Sequence, residues 1–365
     1  MDRREFLKTA SLAIPVAALG MTGWDQPQQK PKPLIIDGMA EIRVTYPMEL
    51  IKEVLAGGTN VVRISLGSPL PPSQAYRIVV DTYAQYERYI SDNRDYLTKA
   101  TCTADLDEAQ QQGRLALMYY FQNATPIEHD LDKIDFFRNL GVTSIQLTYN
   151  VRNLVGDGCM DRTNAGLSEF GLQVIDRMNN LNMLVDLSHA SMATMADGIK
   201  YSQQTVIVGH SGCKTVFDHP RNTTDQNMKA LADKGGVIGI YQINPFLGPR
   251  QRNSLDDYLN HIDHAVKVAG IDHVGISSDR EHQHIPDTEE EMKRLQKEMV
   301  GKSTKGVFRG ATVNQIDWPF FITELNGPRR METVRAGLEK RRYKSSDIEK
   351  IMGKNFYRVF REEIG

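Results

Sequence analysis

Two histidines stand at matching positions in neighbouring apolar segments of the chain. His189 follows residues 184–188 and His210 follows residues 206–209, two short aliphatic and β-branched runs that are typical of buried parallel strands. Residues 192–201, between them, have helical composition. The imidazoles therefore follow successive strands of a predicted βαβ unit, at the strand ends where α/β proteins carry their chemistry. Such a pair could bind one metal ion; the alternative is two buried, hydrogen-bonded histidines.

Polar side chains also follow the other predicted strands and should face the same site. Arg221 and Asn222 come shortly after His210, and a guanidinium can bind a substrate carboxylate through two hydrogen bonds. A metal-assisted hydrolase needs metal ligands, a group that moves the proton of water, and a clamp for the substrate. These residues could supply all three. The polar ring consists of Asp37, Met39, Glu41, Ser65, Gln122, Asn123, Tyr149, Asn150, His189, His210, Asn244 and Asp279.

Strand-like and helix-like segments alternate along most of the chain. Eight alternating units over about 250 residues favour a closed (β/α)8 TIM barrel, and a doubly wound open sheet is the competing fold. The predicted strands are residues 33–39, 60–66, 115–121, 144–148, 184–188, 206–209, 237–243 and 273–277. Further helices are predicted at residues 73–97, 130–140, 168–181, 225–234 and 254–269.

The chain divides into a leader and one domain. Residues 3–8 (RREFLK) precede an apolar run at residues 10–21, a pattern that resembles a twin-arginine export signal. The run is shorter than the roughly 20 residues that span a bilayer. Residues 1–32 are thus predicted to be a signal and linker read by the twin-arginine export machinery, which makes the protein periplasmic or membrane-associated. Residues 33–365 should form the barrel, with a charged insertion around 280–312 and a helical tail. Tyr357, Val359 and Phe360 of the tail are expected to dock on the exterior of the barrel.

Bulk composition excludes some classes of protein. A formal charge of −2 gives no electrostatic reason to expect a nucleic acid partner. Three cysteines are too few for a disulfide framework or a thiolate zinc site. The apolar fraction of 40% is typical of a globular core.

Five short segments stand out as a set: residues 166–171 (GLSEFG), 184–189 (LVDLSH), 210–211 (HS), 220–222 (PRN) and 355–360 (NFYRVF). Together they resemble the membrane dipeptidase family, peptidase family M19. The resemblance extends from about residue 35 to residue 360. It implies a (β/α)8 barrel of the metal-dependent, amidohydrolase-like type that usually holds two zinc ions and cleaves dipeptides, and it suggests a homodimer.

The resemblance also implies roles for individual residues. His189 and His210 match metal ligands of the family, and Arg221 matches the contact to the substrate carboxylate. Asp279 matches the catalytic carboxylate after the last strand. Asn222 and Tyr149 are expected to contribute to substrate binding.

The chain departs from the family at several site positions. Residues 37–41 read DGMAE, whereas the family has Asp-Gly-His-Asn-Asp, of which the His and the second Asp bind metal. Gln122 aligns with the glutamate that bridges the two metals, and Tyr149 aligns with an active-site histidine. Residues 279–282 read DREH in place of Asp-Phe-Asp-Gly.

These departures predict a site with one metal ion. Two zinc ions within about 4 Å repel each other, and an anionic bridge offsets this repulsion, which the neutral Gln122 cannot do. The thioether of Met39 is a poor zinc ligand beside oxygen donors. We therefore expect a single divalent ion, zinc with iron or manganese as alternatives, at His189 and His210. Glu41 and Gln122 are the other candidate ligands, and Asp279 could also contribute.

Three functions follow from this interpretation. The first is an exported hydrolase that cleaves a dipeptide or small peptide-like substrate, with Asp279 as the general base and Arg221 on the substrate carboxylate. The second is an inactive family member that binds a peptide or peptide-derived metabolite without cleaving it. The third is non-hydrolytic processing of such a molecule.

Overall fold

The computed structural model describes residues 33–67, 72–304 and 319–365. The predicted signal and linker at residues 1–32, and the part of the predicted insertion at residues 305–312, lie outside these ranges. Residues 33–365 group as one compact unit. No helix in the described ranges is both long enough and apolar enough to cross a membrane.

The described strands form a single parallel sheet. Their order is β1-β2-β4-β5-β6-β7-β8-β9, and β3 pairs with the first residues of β4. The strands are β1 (Ile36–Asp37), β2 (Val61–Ser65), β3 (Leu97–Lys99), β4 (Leu115–Phe121), β5 (Val142–Gln146), β6 (Leu184–Asp186), β7 (Val206–Ser211), β8 (Val237–Ile240) and β9 (Val274–Ile276).

Backbone hydrogen bonds between the first and last strands close the sheet into a barrel. The amide of Gly38 donates to Ile276 O at 2.9 Å, and the amide of Asp279 donates to Met39 O at 2.8 Å. The predicted (β/α)8 barrel is therefore confirmed, and the open sheet is excluded. Strand β3 was not predicted: residues 93–97 were assigned to the preceding helix, which ends at Asp92.

Helices follow the strands on the outside of the barrel. The α-helices are α1 (Met48–Ala56), α2 (Ala75–Asp92), α3 (Thr103–Gln111), α4 (Asp132–Asn139), α5 (Glu169–Asn180), α6 (Met192–Tyr201), α7 (Asp225–Asp233), α8 (Leu255–Ala269), α9 (Glu289–Thr304), α10 (Arg330–Lys340), α11 (Ser345–Glu349) and α12 (Asn355–Glu363), with a π-helical turn at Lys350–Lys354. Ser or Thr side chains accept the amide hydrogen bonds that begin α5, α6, α7 and α8. The charged segment after β9 contains α9, which lies in the predicted insertion.

The helical tail closes the end of the barrel opposite the strand tips. Phe356 and Phe360 of α12 belong to one buried cluster with Ile36, Val61 and Ile207, which come from the interior of the barrel. The ring of Phe356 lies so close to Gly38 and Gly275 that a Cβ atom at either glycine would overlap it. The tail was expected to pack on the exterior of the barrel, and the glycines explain why it can instead seal its base.

Candidate functional site

The rings of His189 and His210 meet at the carboxyl ends of β6 and β7. Their Nε2 atoms are 3.0 Å apart, and both side chains are buried, with 5% and 0% of their surface exposed. The ring centroids are 5.0 Å apart and the ring planes meet at 66°. The two imidazoles that sequence spacing placed on neighbouring strand tips therefore converge at one point.

Strand register explains this convergence. Asp186 pairs with Ile207 across β6 and β7, so each histidine lies three positions beyond a paired residue. His189 also has a backbone φ of 60°, and Asp279, after β9, has a φ of 54°. Among the described residues only five non-glycine residues have positive φ. Two of the five are candidate site residues, and such unfavourable backbone conformations concentrate at functional sites.

Two neighbours fix the orientation of His189. Its Nδ1 atom is 2.7 Å from Asn150 Oδ1, and the ring of Tyr149 stacks on the imidazole with centroids 4.2 Å apart. Cys159 shares the same amide oxygen, with its Sγ 3.6 Å away, and its amide donates to His189 O at 2.7 Å. Tyr149 therefore lies next to the histidine pair, at the end of the barrel where it was predicted to bind substrate.

His210 is contacted by Gln122. The Gln122 Nε2 atom is 3.3 Å from His210 Nε2, so the side chain that aligns with the bridging glutamate of the family reaches the pair. Within the described ranges His210 Nδ1 is buried and has no hydrogen-bond partner. If the Gln122 amide donates to His210 Nε2, that nitrogen is an acceptor and the proton of the neutral ring is on Nδ1.

Both imidazoles are held in the neutral form. Burial, together with the positive charge of Arg221, lowers the pKa of His210 to about 3. Burial, Arg221 and His210 together hold the pKa of His189 well below its ordinary value. A neutral imidazole carries a free lone pair, the form that binds a metal ion.

Arg221 is a buried cation beside the histidine pair. Only 3% of its surface is exposed, and its guanidinium lies 5.5 Å from the ring centroid of Tyr241 and 3.5 Å from His210 O. No aspartate or glutamate among the described residues forms an ion pair with it. A buried charge without a counter-charge is unfavourable, so an anionic ligand would stabilise this position.

Asp279 is a partly buried carboxyl at the same end of the barrel. Burial raises its pKa to about 7, the charge of Arg221 opposes the shift, and Glu41 adds to it. A carboxyl with a pKa near neutrality can both accept and release a proton at physiological pH.

Two other predicted residues face other partners. The side chain of Glu41 is half exposed at the rim and pairs with Arg43 at 3.0 Å. The amide group of Asn222 donates to Phe217 O and Phe246 O at 2.8 and 3.0 Å. Tyr241 donates to its oxygen. Asn222 therefore holds the loop that carries Arg221.

Comparison with known proteins agrees with this architecture. The family model described as membrane dipeptidase (peptidase family M19) matches residues 49–306. The chain belongs to the membrane dipeptidase family. An uncharacterised dipeptidase of Schizosaccharomyces pombe is 33% identical over 215 residues, which cover 55% of this chain and 51% of that protein. Dipeptidase verJ of Clonostachys rogersoniana is 33% identical over 197 residues, covering 53% of this chain and 49% of that protein.

The chain thus spans about half the length of these two curated relatives. A crystal structure of an amidohydrolase from Pseudomonas aeruginosa superposes with a TM-score of 0.80 at 27% identity, covering 91% of this chain and 97% of the other. The predicted family and the amidohydrolase-like barrel are therefore confirmed.

Membership of a metallopeptidase family supports use of a divalent metal. The donor atoms of the histidine pair can be compared with what such an ion needs. Two neutral imidazoles whose Nε2 atoms lie 3.0 Å apart would fit one ion held between them. Across the described ranges no group of three or more His, Cys, Asp or Glu side chains is placed to bind a metal. Met39 and Gln122 supply no anionic donor beside the two imidazoles.

Sequence reasoning missed the buried ion pair beneath the histidines. Arg63 Nη2 is 3.1 Å from Asp186 Oδ2, and neither side chain has any exposed surface. The contact between His282 and Asp37 was not predicted either: His282 Nε2 is 3.1 Å from Asp37 Oδ2 at the seam of the barrel. A single charged residue inside an apolar strand, as in residues 61–66 (VVRISL) and 184–188 (LVDLS), was the available signal.

Proposed function

We propose that this protein hydrolyses a dipeptide or small peptide-like substrate at a site with a single divalent metal ion. The observation that carries the proposal is the buried Arg221, which has no acidic partner in the described ranges and lies beside two neutral imidazoles. A free carboxylate at the end of a short peptide supplies the missing charge. Family membership gives the reaction class.

Each residue has a part in this reaction. His189 and His210 would hold the ion, zinc with iron or manganese as alternatives, and the ion would polarise the peptide carbonyl. Arg221 binds the substrate carboxylate and so sets the position of the scissile bond. Asp279 accepts the proton of the attacking water and then donates it to the leaving amine nitrogen as the C–N bond breaks. Burial of the imidazole pair keeps bulk water from the reacting group.

The test is a dipeptide library with zinc, manganese or iron added to metal-free protein. We expect hydrolysis by the wild-type chain and none by H189A or H210A. We also expect D279N to bind metal without turnover. Turnover by D279N at the wild-type rate would show that Asp279 is not the general base.

A second candidate, binding without cleavage, has its own observation. The histidine pair has no carboxylate or thiolate donor beside it in the described ranges, and a weakly held metal would leave Arg221 as the main ligand contact. Calorimetry distinguishes the two candidates: a dipeptide that binds the metal-loaded protein and stays intact supports the binding role.

Export by the twin-arginine route is a proposal that rests on residues 1–32 alone. We expect a fusion of these residues to a reporter to reach the periplasm of a bacterium that has this pathway. Changing Arg3 and Arg4 to Lys should abolish export. Export in a strain that lacks the pathway would contradict the proposal.

A further inference from the structure

One carboxylate, Asp186, ties together the backbone that precedes each histidine of the pair. Its Oδ1 accepts hydrogen bonds from Ser188 N at 2.9 Å, Ser188 Oγ at 2.6 Å and Gly209 N at 2.9 Å. Ser188 directly precedes His189, and Gly209 directly precedes His210. The Asp186 carboxylate is therefore hydrogen-bonded directly to the backbone just before each of the two histidines.

The hydroxyl of Ser188 makes the connection between the two strands direct. It donates to Asp186 and accepts from the backbone amide of His210 at 2.8 Å. Regular pairing of β7 with β8 shifts between Val208 and Ser211, so the strand is irregular at His210. The Ser188 hydroxyl thus binds an amide in the irregular part of β7.

Arg63 keeps the carboxylate charged and in place. Burial alone would raise the pKa of Asp186, but Arg63 and His210, with the hydrogen bonds from Ser188, hold it below its ordinary value. Arg63 also donates to Gly38 O at 2.9 Å and to Ser144 Oγ at 2.7 Å, and it stacks on the ring of Tyr120 at 4.4 Å. The guanidinium is therefore fixed by groups from β4, β5 and β6 and by the residue that follows β1.

The barrel makes room for this ion pair. A Cβ atom at Gly209 would collide with Asp186 Oδ2 and lie 3.0 Å from Arg63 Nη1. The pair therefore fills the interior layer directly beneath the histidines. The loss of hydration on burial offsets the attraction between the two charges, so a buried ion pair need not stabilise the fold. We therefore consider which backbone positions this ion pair fixes.

We propose that Asp186 is a positioning residue, which fixes the separation of the two Nε2 atoms through Ser188 and Gly209 without touching either ring at its metal-binding atom. The inference rests on the function proposed above, since it concerns how the same pair holds a metal. Groups that orient metal ligands typically change metal affinity 10- to 100-fold when they are removed. Asp186 and Ser188 should therefore set the affinity of the site.

The decisive variant is Ser188→Ala, which removes the link between Asp186 and His210 and leaves the ion pair intact. Ser191→Ala is the matched control, because Ser191 is also buried, lies three residues away and begins α6 through its hydroxyl. We expect zinc affinity, measured by competition with a chelator, to fall at least about 10-fold for S188A. S191A should lower thermal stability and leave zinc affinity unchanged.

Crystal structures of the metal-free wild type and S188A provide a readout that does not depend on metal. We expect the separation of the two Nε2 atoms to change by more than about 0.5 Å, the tolerance of a preorganised site. An unchanged separation overturns the inference, whatever the affinity. If the wild type binds no metal but the separation changes, the positioning role stands and the proposed metal-dependent function fails.

Discussion

The side chains of Asn150 and His189 form a hydrogen bond of 2.7 Å between Oδ1 and Nδ1. The imidazole is neutral because its pKa is far below neutrality. An amide oxygen accepts only from a protonated ring nitrogen, so the proton of His189 is on Nδ1 and the lone pair on Nε2 points towards His210. The approach of Cys159 Sγ to the same oxygen supports this orientation of the amide.

Replacing Asn150 by Leu should therefore weaken metal binding. Without its acceptor the imidazole can carry its proton on Nε2, which removes the lone pair from the site. We expect a 10- to 100-fold loss of zinc affinity in a chelator competition. Asn153→Leu is the control, because Asn153 holds the same loop through Leu147 O and Asn123 and contacts neither histidine. Equal losses in the two variants would point to the loop and not to the ring.

The alternation of strands and helices carried most of the fold prediction. Residues 115–121 were predicted as a strand with the observed bounds, and His189 and His210 were correctly placed on adjacent strand tips. Strand β3 was missed because Leu97–Lys99 is three residues long and only residues 93–96 separate it from the end of α2. Short segments of this kind are decided by pairing with a distant strand, here β4, which local sequence does not encode.

The ion pair of Arg63 and Asp186 could not be predicted, because its partners are 123 positions apart in the chain. Arg63 and Asp186 are each the single charged residue of an apolar strand. This makes each residue unusual, but it does not indicate which residue pairs with it. The closure of the base by Phe356 was missed for a similar reason: the space it fills is left by Gly38, directly after β1, and by Gly275 in β9, both far from Phe356 in the sequence.

A glutamate at position 122 should strengthen metal binding. Gln122 Nε2 already lies 3.3 Å from His210 Nε2, so a carboxylate there adds an anionic oxygen next to the pair. Because charge attracts the ion and oxygen is a zinc ligand, we expect Q122E to bind zinc at least about 10-fold more tightly. Gln242→Glu, a change at another buried glutamine, is the control for added charge alone. Weaker binding by Q122E would show that Gln122 does not face the metal.

Removing the charge of Arg221 should affect substrate binding and leave the fold intact. The guanidinium is buried and forms no ion pair in the described ranges, so Arg221→Met breaks no salt bridge and should not lower the unfolding temperature. Loss of a buried charge pair with the substrate costs about 2 kcal/mol or more, roughly a 30-fold rise in KM. A dipeptide amide serves as the control substrate: the wild type should discriminate against it, and R221M should not. If R221M still prefers the dipeptide over its amide, a residue other than Arg221 binds the substrate carboxylate.

Phe356 should contribute strongly to stability. Its side chain is fully buried and packs against Gly38 and Gly275 at the base of the barrel. Truncating a buried phenylalanine to alanine typically costs about 3–5 kcal/mol, which urea unfolding of F356A can measure. Tyr357→Ala on the same helix is the comparison, since its hydroxyl pairs with Asp107 at the surface, and it should cost about 1 kcal/mol. Similar losses in both variants would contradict the sealing role of Phe356.

Asp279 should make the metal-free protein less stable as pH rises. Its pKa is raised to about 7 in the folded chain, against about 3.9 in an unfolded chain. Between these values the folded state binds the extra proton, so the stabilisation present at low pH is lost as pH increases towards 7. Asp279→Asn removes this dependence, and its unfolding temperature should rise relative to wild type between about pH 4 and pH 7. Asp287 provides the opposite control, because the ion pair with Arg252 lowers its pKa: D287N should lose stability relative to wild type once pH exceeds the ordinary aspartate range. A constant difference between D279N and wild type across pH would show that this carboxyl titrates as it does in water and is a poor candidate for the base.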